Sequence, residues 1–333
     1  MAVDPVRVCV VGLGWTGMNH ARGYAGIPDL ARIAAVVVRS DEGRERARQL
    51  GIARVYDDWR AALDDPDVEA MDFCTPNALH AEQSVAALAA GKHVLCETPA
   101  CQTFNECRAI RWAIAEHPRQ VAMTGHIARH WPTFADAHRR VAAGEVGEVF
   151  HVGAAYAHKA DPAEYASATT WSRDPAHRAR LGVGHHALDL LRYFAGDVFE
   201  VSGDQSPRAG AAVLRFASGA LGHVFASGAV VRPYILQVEV HGTEGTIVTS
   251  WEEQELRGVL HRSSRWEPER LPSTPLHGRG SPEWGYEMAN FSRSIRGEAE
   301  PVCPMLDGVA MVETGLAIQL AIDTGTRVRV VSV

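Results

Sequence analysis

Gly12, Gly14 and Gly17 stand in G-x-G-x-x-G spacing, directly after the apolar run Arg7–Val11 and at the start of a helical pattern. Glycines so placed permit a tight turn and close backbone approach to a ligand. The helix N-terminus behind them offers free N–H groups and a positive dipole end, a combination suited to a dinucleotide pyrophosphate. Trp15 and Thr16 fill the variable positions and count as part of the same loop. About 20 residues further on, such proteins place an acid for the adenosine ribose; here Val38 stands there, followed by Arg39 and Ser40. Valine cannot accept a hydrogen bond from the 2′-hydroxyl, whereas Arg39 and Ser40 can hold a 2′-phosphate. The expected cofactor is therefore NADP, with NAD as the alternative; the plainer reading of Arg39 is a solvated loop charge.

Proton-handling candidates lie in the second half. His186 opens an apolar helical segment, where a neutral imidazole can accept or return a carbinol proton; the bland reading is a core histidine. His185 beside it is expected to point elsewhere on the helix. The chain has two lysines. Lys92 falls in a turn before a strand, whereas Lys159 follows the first strand of the second half and could bring positive charge to a substrate. Tyr156, His126, Arg129 and His130 are further candidates by position, and Trp131, Trp171 and Trp284 read as core or cleft aromatics.

The elements that must position these residues change character along the chain. Residues 6 to 124 repeat an apolar run, a turn and a helix-period segment, with strands expected at Arg7–Val11, Ile33–Val38, Ala70–Cys74, His93–Cys96 and Val121–Thr124. That is the pattern of a parallel sheet with crossover helices. After Gly125 a helix over Thr133–Ala143 gives way to alternating runs at Phe150–Tyr156, Ala211–Phe216, Leu221–Ala226, Ile235–His241 and Thr246–Ser250, which predict a mostly antiparallel sheet. The expected class is α/β: a Rossmann dinucleotide-binding domain over 1–125 and an α+β domain with an open-faced sheet over 126–333. His261–Pro282 reads as a long surface loop, and a last helix is expected at about 306–321 and could pack back on the first domain.

With the fourth and fifth strands a resemblance becomes specific. Thr75-Pro76-Asn77-Ala78-Leu79-His80 and Gly91-Lys92-His93-Val94-Leu95-Cys96-Glu97-Thr98-Pro99 resemble the TPN-x-x-H and GKHVLCEKP stretches of the Gfo/Idh/MocA oxidoreductases. Gly144–Gly147, His186–Leu191 and His241–Gly245 extend the likeness over nearly the whole chain. The resemblance implies hydride exchange at nicotinamide C4 with sugar- or cyclitol-like substrates, and homo-oligomers, dimer or tetramer, through the C-terminal sheet. It places Thr75, Pro76, Asn77 and His80 at the nicotinamide ribose and Glu97 on the cofactor. Two departures stand out: Thr98 occupies the position of the E-K-P lysine, and Gly182 that of the D-x-x-x-H aspartate. Loss of the lysine removes a charge that steadies the reacting oxygen.

Composition narrows the partners. A net charge of −7 without basic tracts speaks against nucleic acid. No window reads as a membrane span and the N-terminal residues carry no basic region, so a cytoplasmic location is expected. Cys9, Cys74, Cys96, Cys101, Cys107 and Cys303 lack metal-ligand spacing and are expected to be reduced core residues, with no metal site. The leading expectation is an NADP(H)-dependent oxidoreductase of a polar small molecule. The alternatives are a nucleotide-dependent enzyme without net redox change, by epimerisation, elimination or glycoside cleavage, and a non-enzymatic nucleotide sensor.

Overall fold

The computed structural model describes residues 4–158, 184–232, 234–252, 255–262, 267–271 and 283–331. They form two compact units, Met1–His130 with His277–Val309 and Trp131–Leu276 with Ala310–Val333. A single cut near 125 therefore does not describe the chain, because a late segment returns to the first unit.

The first unit is built on strands β1 (Val6–Val11), β2 (Ala31–Val37), β3 (Val55–Tyr56), β4 (Ala70–Phe73), β5 (His93–Cys96) and β6 (Ala122–Thr124). They pair in parallel in the order β3-β2-β1-β4-β5-β6. The order reverses direction between β1 and β4, the place where sheets of this kind bind ligands at the carboxyl ends of their strands. Helices α1 (Trp15–Ala25), α2 (Asp41–Gln49), α3 (Trp59–Leu63), α4 (His80–Ala89) and α5 (Phe104–Glu116) follow successive strands. The strands are nearly continuous runs of buried Val, Ala, Met and Phe because helices cover both faces. A later helix, Glu283–Ile295, packs on α1 and contributes Met288 and Phe291 to the core with Val8, Val10, Val36 and Leu95. The α5 entry carries a complete capping box between Thr103 and Glu106.

The second unit contains α6 (Pro132–Ala142), α7 (His185–Ala195) and strands β7 (Val149–Ala157), β8 (Val198–Ser206), β9 (Ala209–Phe216), β10 (Leu221–Ser227), β11 (Ile235–Gly242), β12 (Gly245–Glu252), β13 (Glu255–Arg262), β14 (Glu269–Arg270) and β15 (Val328–Arg329), which form one sheet ordered β14-β13-β12-β11-β7-β10-β9-β8-β15. Its central strand β7 (Val149–Ala157) runs antiparallel to β11 (Ile235–Gly242) and parallel to β10 (Leu221–Ser227); most other pairs are antiparallel. Residues alternate along the strands: Val152, Val224 and Val238 are buried beneath α7, while Leu221, His223, Phe225 and Val213 stay exposed on the opposite face.

Two expectations need correction. Part of the expected loop His261–Pro282 is sheet edge: His261 and Arg262 end β13 (Glu255–Arg262), and β14 (Glu269–Arg270) pairs back on it. The final helix, Met305–Thr324, is long and apolar enough by length and composition to cross a bilayer, contrary to the expectation of no such window. Burial explains its apolarity, since Val309, Met311, Val312, Ala317 and Ala321 are all core residues.

Candidate functional site

The glycine loop has the geometry a pyrophosphate needs. Gly12 sits at φ +93°, and a Cβ there would lie 2.8 Å from the Cys74 carbonyl oxygen. A Cβ on Gly17 would lie 1.9 Å from the Gly12 carbonyl oxygen, so α1 can cross β1 this closely only with glycine. Gly14 faces open space, with nothing within 4 Å of a Cβ, and no side chain caps α1 at that residue. Uncapped first-turn N–H groups beside an open cradle fit a dinucleotide phosphate. Trp15 is exposed and Thr16 half-buried at the same turn.

At the end of β2, Val38 is buried and Arg39 is exposed. Ser40 is the N-cap of α2, its hydroxyl accepting from the Gly43 N–H at 3.1 Å. Asp41 and Glu42 occupy the first turn of the same helix, and Glu42 pairs with Arg46.

Beyond β4, the Thr75 hydroxyl donates to Gln83 Oε1 at 2.5 Å and Asn77 is buried in a short 3-10 turn. His80 is buried between two loops. Its ring nitrogens lie 2.8 Å from the carbonyl oxygens of Pro99 and Thr75, and burial holds it below the ordinary imidazole range. It ties the loop after β4 to the loop after β5. Glu97 accepts from its neighbour's backbone, Thr98 N–H to Oε2 at 3.0 Å, and from His20 Nε2–H at 2.9 Å. His20, Asp72 and Cys74 have donor atoms within 4.8 Å of one another, but both imidazole nitrogens are taken by carboxylates, Nδ1 by Asp72 at 2.8 Å and Nε2 by Glu97.

The second unit gathers an aromatic and histidine cluster. Tyr156 on β7 and His186 on α7 lie with ring centroids 5.9 Å apart, nearly parallel. His158 and Tyr234 join Tyr156 at 5.6 and 5.0 Å, and Tyr234 packs on Trp251, which meets Trp131. His185 does not point elsewhere: its ring is 4.1 Å from that of His186, because the pair sits in the first turn of α7 behind Gly184. Two of the three residues expected to do chemistry thus share one cluster; the third, Lys159, and with it Gly182 and Trp171, lies outside the described residues. Tyr234 and Trp251 were not foreseen, since the strand alternation that aims them is visible only once β11 and β12 (Gly245–Glu252) pair.

Other candidates have structural work. Arg129 is buried and bonded to Asp307 at 2.7 Å and to the Val302 carbonyl. Lys92 donates to the carbonyl oxygens of Asp65 and Val68. His126 is fully buried, and His130 lies 4.0 Å from Glu287. All six cysteines are free thiols, Cys74 half-buried and the others buried.

Residues 6–126 match the family described as "Oxidoreductase family, NAD-binding Rossmann fold", and residues 134–248 the "GFO/IDH/MocA C-terminal domain". A myo-inositol 2-dehydrogenase from Thermotoga maritima is 30% identical over 73% of this chain and 74% of its own length. A levoglucosan dehydrogenase from Pseudarthrobacter phenanthrenivorans is 28% identical over 84% of this chain and 83% of its own. A solved structure, "Levoglucosan dehydrogenase, complex with NADH and levoglucosan", superposes with a TM-score of 0.86 at 26% identity, covering 99% of this chain and all of the other.

Proposed function

Because this chain belongs to the Gfo/Idh/MocA oxidoreductase family, we propose that it moves hydride between NADP(H), in preference to NAD(H), and a sugar- or cyclitol-like substrate. The carrying observation is the Gly12-Gly14-Gly17 turn, which opens the uncapped N-terminus of α1 at the carboxyl end of β1. Relatives named for inositol and levoglucosan oxidation, one of them NAD(+)-dependent, support the polar substrate class and a nicotinamide dinucleotide. The phosphate preference rests on this chain alone. Buried Val38 leaves the ribose without an acid, and Arg39 is the exposed cation beside it.

The bound nicotinamide supplies the hydride donor or acceptor. The chain supplies orientation and proton traffic: α1 holds the pyrophosphate, Glu97 the nicotinamide end, and His186 takes or returns the carbinol proton, with Tyr156, His158 and Tyr234 as neighbouring polar groups. Thr98 brings a hydroxyl where a lysine is usual, so it contributes no charge to a developing alkoxide. The exposed Val213, Leu221 and Phe225 on the open sheet face support a homo-oligomer through that face, which size-exclusion chromatography of Val213→Asp against the parent protein tests. Fluorescence titration with NADPH and NADH tests the cofactor reading. NADPH should bind at least about tenfold more tightly, and Arg39→Ala should erase that difference by weakening NADPH alone. Tighter binding of NADH to the parent protein would reverse the assignment.

A further inference from the structure

His20 lies six residues into α1, beneath the glycine loop, and is completely buried. Its Nδ1 is 2.8 and 3.0 Å from the two carboxylate oxygens of Asp72, and its Nε2 is 2.9 Å from Glu97 Oε1. Ionised carboxylates only accept, so satisfying both contacts requires a proton on each ring nitrogen, which makes the ring an imidazolium. The remaining surroundings agree. Trp284 packs against the imidazole with centroids 5.2 Å apart and the exposed Trp15 covers Trp284 at 5.9 Å, an arrangement favourable to a cation. Glu287, also completely buried, has neither carboxyl oxygen in a hydrogen bond, and burial pushes its carboxyl well up. It is therefore neutral and does not compete for the imidazolium. Burial likewise pushes the Tyr24 hydroxyl and the Cys74 thiol up, so both stay neutral, and among the described residues the carboxylates bonded to His20 are those of Asp72 and Glu97.

We infer that His20 is a positioning residue for the nicotinamide half of the cofactor: its imidazolium, anchored by Asp72, fixes and keeps ionised the Glu97 carboxylate at the carboxyl end of β5. This rests on the dinucleotide reading above. Glu97 is the member of the triad that retains accessible side-chain surface, 17% against none for His20 and Asp72. Its second oxygen is fixed by the Thr98 N–H, so the carboxylate meets a ligand in one orientation with its charge retained. A carboxylate so held accepts from a ribose hydroxyl or a carboxamide N–H, neither of which the adenosine half can offer at this place. His80, buried across the Thr75 and Pro99 carbonyls, braces the loop that follows Glu97.

The test compares NADPH with adenosine 2′,5′-bisphosphate, which keeps the adenosine and its 2′-phosphate and lacks both the nicotinamide and its ribose. His20→Gln should weaken NADPH about tenfold or more, the range expected when a hydrogen bond to a charged group is lost, and leave adenosine 2′,5′-bisphosphate unchanged. In Glu97→Gln the same His20 substitution should add almost nothing, because its target is gone. Parent and His20→Gln proteins share the titration of the 2′-phosphate, about pH 6, so the variant's affinity is read as its ratio to the parent's at each pH. His20→Gln should bind progressively more weakly toward pH 6, since Glu97, no longer held ionised, takes up a proton there. If His20→Gln does not fold, Asp72→Asn carries the test: it frees the imidazole to lose its charge, and NADPH affinity should fall toward pH 8 with adenosine 2′,5′-bisphosphate unaffected. Equal losses for the two ligands, or an unchanged NADPH affinity and pH profile, would show His20 to be a packing residue and overturn the inference. Failure of the parent protein to bind either ligand would instead overturn the dinucleotide reading itself.

Discussion

At the scale of single residues, the proton carrier and the missing charge make separable claims. His186 stands half-buried beside Tyr156 and His185 in the first turn of α7, with no role in the cofactor loop. His186→Ala should lower turnover by ~10²–10⁴ and leave NADPH affinity intact; turnover within a few-fold of the parent's would move the proton to Tyr156 or His158. Thr98 concerns the oxygen that reacts. One lost oxyanion partner costs ~3–4 kcal/mol of transition-state stabilisation, or roughly two to three orders of magnitude in rate. The protein should accordingly oxidise unactivated inositols and free hexoses poorly, and a screen with those polyols at the nicotinamide band measures this. Rapid inositol oxidation would mean that a group not yet identified replaces the lysine.

Among elements, the junction of β1 with α1 separates backbone fit from ligand fit. Gly17 is needed by the fold, since its Cβ would strike the Gly12 carbonyl, whereas Gly14 opens onto empty space at ordinary dihedrals, φ −67° and ψ −164°. Gly14→Ala should therefore keep the apo protein within about 0.5 kcal/mol of its parent's stability yet weaken NADPH about tenfold by standing in the phosphate cradle. Gly17→Ala should destabilise the apo protein by ~1–3 kcal/mol or more; chemical denaturation with a parallel binding titration distinguishes the two. This junction was legible because its constraint is local: three glycines, a strand before them and a helix after. The parallel strands were legible for a similar reason, being apolar runs between helical stretches. The return of Glu283–Ile295 to pack on α1 was not, for no local pattern records a partner more than 250 residues away. The same holds for the His20 triad, whose members are 52 and 77 residues apart along the chain. Tyr234 and Trp251 escaped notice because an aromatic on a strand reads as core until the sheet shows which face it occupies.

For the molecule as a whole, buried ionisable groups set how stability depends on pH, and they act in two directions. Glu97, Asp65 and Asp136 are held below the usual carboxylate range, by His20, by the Asp67 backbone N–H with Tyr56 and Arg54, and by Arg139 with Arg140, each against the opposing cost of burial. Their stabilising contribution is present above the unfolded carboxylate range and is lost on acidification. Glu287 works the other way. Burial raises its carboxyl well above the unfolded value near 4.5, so the native state holds a proton that the unfolded chain has released, and stability falls as pH rises from that value toward the folded one. His20, also raised, adds a loss in the same direction as pH climbs through its folded value. Glu287→Gln replaces a neutral acid by a neutral amide of the same shape and removes only the Glu287 part of this slope. Urea midpoints at pH 5, 7 and 9 should show the variant closest to the parent, or slightly below it, at pH 5. Its relative stability should then increase as pH rises, by about 1.4 kcal/mol for each pH unit until the folded-state titration of Glu287 is reached. A difference that stays constant across the three pH values would mean that Glu287 is ionised in the native protein, balanced by the His20 imidazolium or by His130, 4.0 Å away.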